Sequence, residues 1–565
     1  MVRRVNPTTR ALLDRLLRNY APSPTADATL RTALVRHNVE TTYVVPADWP
    51  RRDGAEVWFE DKKAPDAGSD VQYLIDGRQT YDAMLEAMET ADQKGHFIIL
   101  LGWWLKHEFK FAGGKSFLDV ARERGKLGVA VRVLLYDSAY VEDTEKLPEM
   151  EAFAKLRTDE GLDVHAQLDD RTREFVAAQL VVGVIRSFAG PFAGLVDEKV
   201  VNPQSDAAKT GNAYAYGSHH HKIVLVFGRD GLVGFCGGLD INNDRETWYH
   251  DAHLRVLGSA ARELLTLVEQ RWSHAKDNRR SPAVMIDALV APARGSNANA
   301  VNPYLARVFQ TVGNPDLRSM VPDTLWPAIR HAVRTAQRFI YIEDQYLISF
   351  DLIDELVEAA KRLKHIIIVV PEALHEGPVR PFRLRAIAYL QEIGGPDIGE
   401  KIKIFQLGAG SIHGRVHSKL FVFDDEYALV GSANANNRGY FLDSEADIGV
   451  AEYRWDRSEG SRNGLWPSIE ANFARRMRIE LWAEHLGLDP EELVDGVAAG
   501  VHWRRLPAGA RVAPYRVLNV RMFEETGGES NTHPGIQQTQ PWWESIPDDW
   551  DPGFNKADLV VDPKG

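Results

Sequence analysis

The chain has a single cysteine, Cys236, in 565 residues, so an internal disulfide framework is excluded and the composition fits a reducing compartment. Basic residues are not in excess. The 67 Lys and Arg against 80 Asp and Glu leave a formal charge of −13, which argues against a partner made mainly of phosphate backbone but leaves room for a local basic cleft. Uninterrupted apolar runs of membrane-spanning length are also missing. The most apolar stretch, Val176 to Val196, is broken by Arg186, Gly190 and Pro191, and so reads as a core segment or as a loop dipping Phe188 and Phe192 into lipid. No apolar core of signal-peptide length follows Met1-Val2-Arg3-Arg4. The expectation is therefore a soluble protein, cytoplasmic or exported by a non-classical system, that touches membranes peripherally. With 44% hydrophobic and 26% charged residues, the chain has material for two or more globular units.

Against these absences stands one dense stretch, His417-Ser418-Lys419, followed by Asp424 and then by Gly431-Ser432-Ala433-Asn434-Ala435-Asn436. Side chains two apart on an extended strand share a face, so His417 and Lys419 place an imidazole beside a fixed positive charge. Leu420-Phe421-Val422-Phe423 reads as the buried strand that holds them, and Gly431-Ser432 as a turn whose backbone amides approach an anion closely. The pattern HxKxxxxD with a downstream GSANxN resembles the phospholipase D superfamily, whose members carry that signature twice.

A second copy lies upstream in Ser218-His219-His220-His221-Lys222, then Ile223 to Phe227, then Gly237-Gly238-Leu239-Asp240. It departs from the pattern, because the residue seven after His220 is Phe227. Asp230 precedes Gly237 by seven residues, as Asp424 precedes Gly431, so a three-residue insertion in the turn is one account. The other is that this copy has no acid there. Asp251 lies fourteen residues after Gly237, and Glu445 fourteen after Gly431. A nucleophilic imidazole needs one ring nitrogen held by an acceptor so that the other presents its lone pair, and Asp251 and Glu445 are the candidates for that task.

The order of elements repeats along the chain. Tyr81, Met84, Leu85 and Met88 recur at helical spacing before the strand Phe97 to Leu101; Leu325, Ile329, Ala332, Val333 and Ala336 do the same before Phe339 to Ile342. Each half continues through a helix, two strands and the HxK strand, and closes on a helix, Ala260 to Trp272 and Ile469 to Trp482. The expected fold is α/β, with two pseudo-twofold-related repeats, each a mixed sheet flanked by helices, and the active site at their interface. The corresponding divisions are an N-terminal extension over 1–70, a first repeat over 71–275, a connection over 276–320, a second repeat over 321–490 and a C-terminal appendage over 491–565. The last of these carries Trp542, Trp543 and Trp550 as a surface strap or an interfacial tail.

The resemblance implies hydrolysis of the distal phosphodiester of glycerophospholipids to phosphatidic acid, through a phosphohistidine on His220 with His417 as acid and base. Lys222 and Lys419 would neutralise the phosphoryl oxygens, and water or an alcohol would accept the phosphatidyl group, the latter by transphosphatidylation. Asn242, Asn436, Gly238, Ser432 and Gln345 are the expected substrate-binding residues. Asp230 and Asp424 are expected to support the two motifs. No cofactor and no metal are called for, since the tract His219-His220-His221 has no ligand set at metal spacing beside it. The expected partner is phospholipid at a membrane surface, not nucleic acid, and the expected state is a monomer. Two alternatives remain: a nuclease or other phosphodiesterase of the same superfamily, and a catalytically silent scaffold protein. The segment Trp248-Tyr249-His250-Asp251-Ala252-His253 and Ile342-Glu343-Asp344-Gln345-Tyr346 resemble the phospholipid-cleaving branch.

Overall fold

The computed structural model describes residues 55–60, 68–111, 113–136, 146–169, 218–242, 249–275, 286–295, 304–313, 320–371, 380–407, 415–441, 443–452 and 473–515. The apolar stretch Val176 to Val196 and the tryptophans at 542, 543 and 550 lie outside them. Among the described residues, no helix is long and apolar enough to cross a membrane.

The first repeat supplies β1 (Ser69–Ile75), β2 (Phe97–Gly102), β3 (Ala130–Tyr136), β4 (Val164–Asp169), β5 (Ile223–Gly228), β6 (Gly231–Gly237), β7 (Tyr249–His250) and β8 (Ala252–Gly258). The second supplies β9 (Tyr304–Thr311), β10 (Phe339–Asp344), β11 (His365–Pro371), β12 (Ile402–Leu407), β13 (Arg415–Val416), β14 (Lys419–Phe423), β15 (Tyr427–Gly431) and β16 (Glu445–Glu452); β17 (Val512–Pro514) follows. All but β7 and β13 join one 15-stranded sheet, in the order β17-β12-β11-β10-β14-β15-β16-β9-β1-β8-β6-β5-β2-β3-β4. Leaving out β17, the order reads the same from either end, with β1 and β9 meeting in the middle through Ser69 and Tyr304. That palindrome is the pseudo-twofold relation expected from the repeated element order, realised as one continuous mixed sheet.

The local reasons are plain in the residues. β2 (Phe-Ile-Ile-Leu-Leu-Gly) and β11 (His-Ile-Ile-Ile-Val-Val-Pro) are apolar without alternation because both of their faces are covered, and every residue in them is buried. Ser116 opens the helix Phe117–Lys126 with a reciprocal capping box: its hydroxyl accepts from the Asp119 N–H at 3.0 Å and its own N–H donates to the Asp119 carboxylate at 2.9 Å. On one face of the sheet the helices Ser259–His274 and Phe473–Leu486 share a single core across both repeats, with Leu264, Val268, Met477 and Trp482 among its members. The opposite face carries two separate cores, around Met84 and Val120 in the first repeat and around Ile329 and Leu356 in the second.

Three boundaries differ from those read off the sequence. β9 lies inside the stretch taken as the connection, because it is the second repeat's counterpart of β1 and completes the middle of the sheet. The first part of the appendage is integral, since β17 pairs with β12 and Trp503 packs in the shared core. Trp58 and Phe59, from the N-terminal extension, pack on the second repeat, where Trp58 stacks on Tyr427 at 5.4 Å.

Candidate active site

Each HxK segment pairs with the acid-bearing segment of the other repeat. The His220 N–H donates to the Ser444 carbonyl at 2.9 Å, immediately before β16, and the His417 N–H donates to the His250 carbonyl at 2.7 Å, at the end of β7. β7 and β13 run side by side as a two-stranded ladder. The consequence is a crossed pair of dyads. His220 Nδ1 lies 2.9 and 3.1 Å from the two carboxylate oxygens of Glu445, and His417 Nδ1 lies 2.6 Å from Asp251 Oδ2. In both, Nδ1 is the nitrogen held, so Nε2 is the nitrogen presented. The acids are fully buried, with side-chain exposures of 1% for Glu445 and 0% for Asp251, while His220 keeps 16%. Burial pushes the Glu445 carboxyl well above the usual range, against the opposing field of Lys222.

The lysines are fixed by their own motifs. Lys222 Nζ donates to the carbonyl of His220 at 2.9 Å, and Lys419 Nζ donates to the carbonyl of His417. Lys419 also donates to Gln345 Oε1 at 3.3 Å, which places Gln345 beside the motif lysine. At the matching place after β2 stands Trp103, edge-on to the His220 ring with centroids 5.2 Å apart. Both ammonium groups are buried and face a carboxylate, but the carboxylates come from different positions. Lys222 lies 3.7 Å from Asp240 Oδ2, three residues after Gly237. Lys419 feels Asp344, at the end of β10, whose carboxyl burial raises and Lys419 lowers. Each acid is gripped by amides from the opposite loop: Asp240 Oδ1 accepts from Trp103 and Trp104, and Asp344 Oδ2 accepts from Ala435.

The glycine turns do something other than expected. The Gly238 N–H donates to the Ala252 carbonyl and the Ser432 N–H to the Ala446 carbonyl, both at 3.1 Å, so neither amide is open to an anion. These positions instead serve the acids. The Ser432 hydroxyl donates to Glu445 at 2.5 Å, and a Cβ on Gly238 would fall 2.1 Å from Asp251 Oδ1, so only glycine leaves room for that carboxylate. Asn436 is buried; its side-chain oxygen accepts from the Gly439 N–H at 2.7 Å at the start of the short helix Asn437–Phe441. Its NH2 end has no hydrogen-bond partner among the described residues. Asn242 stands at the equivalent place and is half-buried.

Asp424 supports its motif from behind. Its carboxylate accepts from the backbone N–H groups of Gln337, Arg338 and Phe339 at 2.7 to 2.8 Å, fixing the start of β10 against β14. Asp230 does not take that place. The pairing of β5 with β6 continues through Phe227 with Leu232 and Gly228 with Gly231, so the three extra residues lengthen the hairpin and leave Asp230 exposed at its tip. Phe227 occupies the acid's position, and the first copy has no motif acid.

Behind His417 lies a buried polar cluster that motif reading did not single out. Glu343 accepts from His250 Nε2 at 3.1 Å, His485 Nε2 at 2.9 Å, the Ser418 hydroxyl at 2.6 Å and the Tyr341 hydroxyl at 2.5 Å. The carboxyl of Glu343 is held well below its ordinary range despite burial, chiefly by His250, and the imidazole of His250 well above its own by Glu343, Glu484 and Asp76. His250 and His485 lie 235 positions apart in sequence, so only a buried charge inside the apolar strand Phe339 to Asp344 hinted at them.

Two families of known proteins match the second repeat. The family described as "Cardiolipin synthase, PLD-like domain" matches residues 329–454, and that described as "Phospholipase D" matches residues 408–513. The chain is 22% identical over 401 residues to a cardiolipin synthase of Listeria monocytogenes serotype 4a, a match covering 68% of this chain and 66% of that protein. It is 22% identical over 518 residues to phospholipase D alpha 4 of Arabidopsis thaliana, covering 73% and 64%. The matches thus span somewhat under two thirds of those relatives' own lengths. A crystal structure of phosphatidylserine synthase from Haemophilus influenzae Rd KW20 aligns with a TM-score of 0.46 and 13% identity, over 83% of this chain and 99% of that one. Taken with the paired HxK motifs, the two family models and the sequence relatives support membership of the phospholipase D superfamily.

Proposed function

We propose that the protein is a phospholipid-modifying phosphodiesterase that transfers a phosphatidyl group from the headgroup alcohol to water or to another alcohol. The observation that carries the reading is the crossed pair of dyads, His220 with Glu445 and His417 with Asp251, which presents two Nε2 atoms from one chain. A phosphodiester anion resists attack until its non-bridging oxygens are neutralised, and Lys222, Lys419 and the NH2 end of Asn436 are the preorganised donors for that. In the first step His220 Nε2 attacks phosphorus, the bond to the headgroup oxygen breaks, and His417 donates its Nε2 proton to that oxygen. In the second, His417 takes a proton from water or an alcohol, whose oxygen displaces His220 from phosphorus. Water yields phosphatidic acid; an alcohol yields a new phosphodiester.

The matched relatives support a phospholipid substrate, and the cardiolipin synthases among them favour transfer to an alcohol as a second outcome of the same intermediate. Both dyads come from one chain, so a monomer suffices. The test is headgroup release from mixed phospholipid vesicles in excess chelator, with and without a primary alcohol, for the parent and His417→Ala. Release that collapses in the variant, together with a phosphatidyl-alcohol when alcohol is present, is the expected result. Release from no lipid sinks the reading, and cleavage of nucleic acid or small phosphodiesters by the same protein would replace it; inactivity on all three would favour a scaffold.

A further inference from the structure

Arg415 opens β13, two residues before His417, and its guanidinium lies over the ring of Tyr249 at 5.2 Å. The other side of the contact matters as much: the Tyr249 ring packs edge-on against the His417 imidazole at 5.1 Å. Arg415 therefore stands one ring beyond the histidine assigned to protonate the leaving alcohol. It is half-buried, and its Nε is buried with no hydrogen-bond partner among the described residues. No carboxylate there lies within ion-pair distance of it. Elsewhere in the molecule Arg478 grips Asp425, Arg271 grips Asp169 and Arg438 grips Asp443. In a chain with a net charge of −13, acids to pair with are plentiful.

The same guanidinium acts on the half-buried Tyr346, opposing the rise that desolvation gives its hydroxyl pKa, and Tyr346 follows the Gln345 that touches Lys419. Arg415 thus borders the site on the side of His417. At the matching position of the first repeat, two before His220, stands the uncharged Ser218, whose N–H donates to Asp443 at 2.7 Å. The positive charge is therefore one-sided, as a device that distinguishes the two ends of a phosphodiester must be. A guanidinium offers a planar fork of donors that fits a carboxylate or a phosphate bidentately, and its field disfavours a quaternary ammonium in the same place.

We propose that Arg415 reads an anionic group, carboxylate or phosphate, on the alcohol that His417 protonates as it leaves or deprotonates as it arrives. This rests on the phosphodiester-transfer reading above. The anion belongs either to the headgroup of the lipid being cleaved or to an incoming phosphorylated alcohol.

Two arms of one experiment separate these sources. The first compares kcat/KM for headgroup release from phosphatidylserine and phosphatidylcholine in vesicles matched in surface charge with an alkyl sulfate. The second compares transfer from phosphatidylcholine to glycerol 3-phosphate and to glycerol. Parent, Arg415→Gln and Arg415→Lys are measured in both arms. A hydrogen-bonded charge pair of ordinary strength predicts that Arg415→Gln lowers the serine-to-choline ratio, or the glycerol 3-phosphate-to-glycerol ratio, by about 10- to 100-fold. Arg415→Lys, which keeps the charge and loses the fork, should retain part of it. If the ratio that falls is the lipid one, the anion is on the headgroup; if it is the acceptor one, the anion arrives with the alcohol. Ratios unmoved in both arms, even with all rates reduced together, overturn the proposal and make Arg415 a packing residue. A parent that releases no headgroup from any lipid overturns the transfer reading itself.

Discussion

In the second repeat the HxK strand is short and tied down: Asp424 holds three backbone amides, and Ser418, beside the histidine, is hydrogen-bonded to Glu343. In the first the hairpin is longer, Phe227 stands where the acid would be, and the residue after His220 is His221, whose imidazole burial pushes well below its ordinary pKa. The two lysines face acids that reach them from opposite loops. His253 in β8 and Asp447 in β16, both two residues after a dyad acid, accept backbone N–H groups from their glycine turns, Leu239 at 3.4 Å and Ala433 at 3.1 Å. The chemistry-bearing atoms are thus matched across the pseudo-twofold axis, and the supports are not. A site fixes where reacting atoms stand, and many sets of buried partners can hold them there.

That comparison can be broken most severely at the crossed dyads. Asp251→Asn and Glu445→Gln are each expected to lower kcat by about 10²- to 10⁴-fold, because the amide that replaces the carboxylate can turn its NH2 to Nδ1 and fix the wrong tautomer. The two losses should be similar, and a large effect from only one would break the symmetry of the site. Phosphoprotein trapped by denaturation at alkaline pH, where a phosphohistidine survives, sharpens it further: His417→Ala should accumulate phosphohistidine on His220, and the reverse labelling would exchange the roles.

Stability is the next largest difference. Glu343→Gln strands His250 and His485 in the core and should cost about 3–5 kcal/mol in denaturant unfolding. Asp424→Ala leaves three amides without their acceptor and should cost about 2–4 kcal/mol, whereas Asp230→Ala, at an exposed hairpin tip, should stay within about 0.5 kcal/mol. Equal losses at Asp424 and Asp230 would contradict the register of the β5–β6 hairpin.

The last difference is a pH dependence. Burial raises Asp447 from 3.8 to about 7, with the field of Asp344 adding to the rise and the amides of Ala433 and Ser432 and Lys419 opposing it. A carboxyl whose folded pKa is raised stabilises the fold when protonated, so its contribution is present below about 4 and is lost as pH climbs towards 7, at about 1.4 kcal/mol per unit of pKa difference. Asp447→Asn should therefore gain melting temperature relative to the parent between pH 4 and 7 and hold a constant advantage above that. His253, lowered to about 3, has no comparable transition near neutrality.

Much of this was legible in the chain. The repeated element order, the two HxK segments and the fourteen-residue spacing to Asp251 and Glu445 all follow from strand periodicity and from counting. The roles of Gly238 and Ser432 were not legible, because an amide's availability depends on which strand lies beside it. Nor was the place of Asp230, since an insertion is drawn equally well in a turn or in the arms of a hairpin until the pairing is known.

The sequence by itself determined the candidate site residues, because their types and spacing match what the proposed phosphoryl transfer needs within a few residues of chain. Only the tertiary structure decided that each histidine takes its acid from the other repeat, that Glu343 gathers His250 and His485, and that Arg415 lies over Tyr249 beside His417. Those are contacts between segments tens to hundreds of residues apart. Their free energy comes from burial and hydrogen bonding that no local pattern encodes.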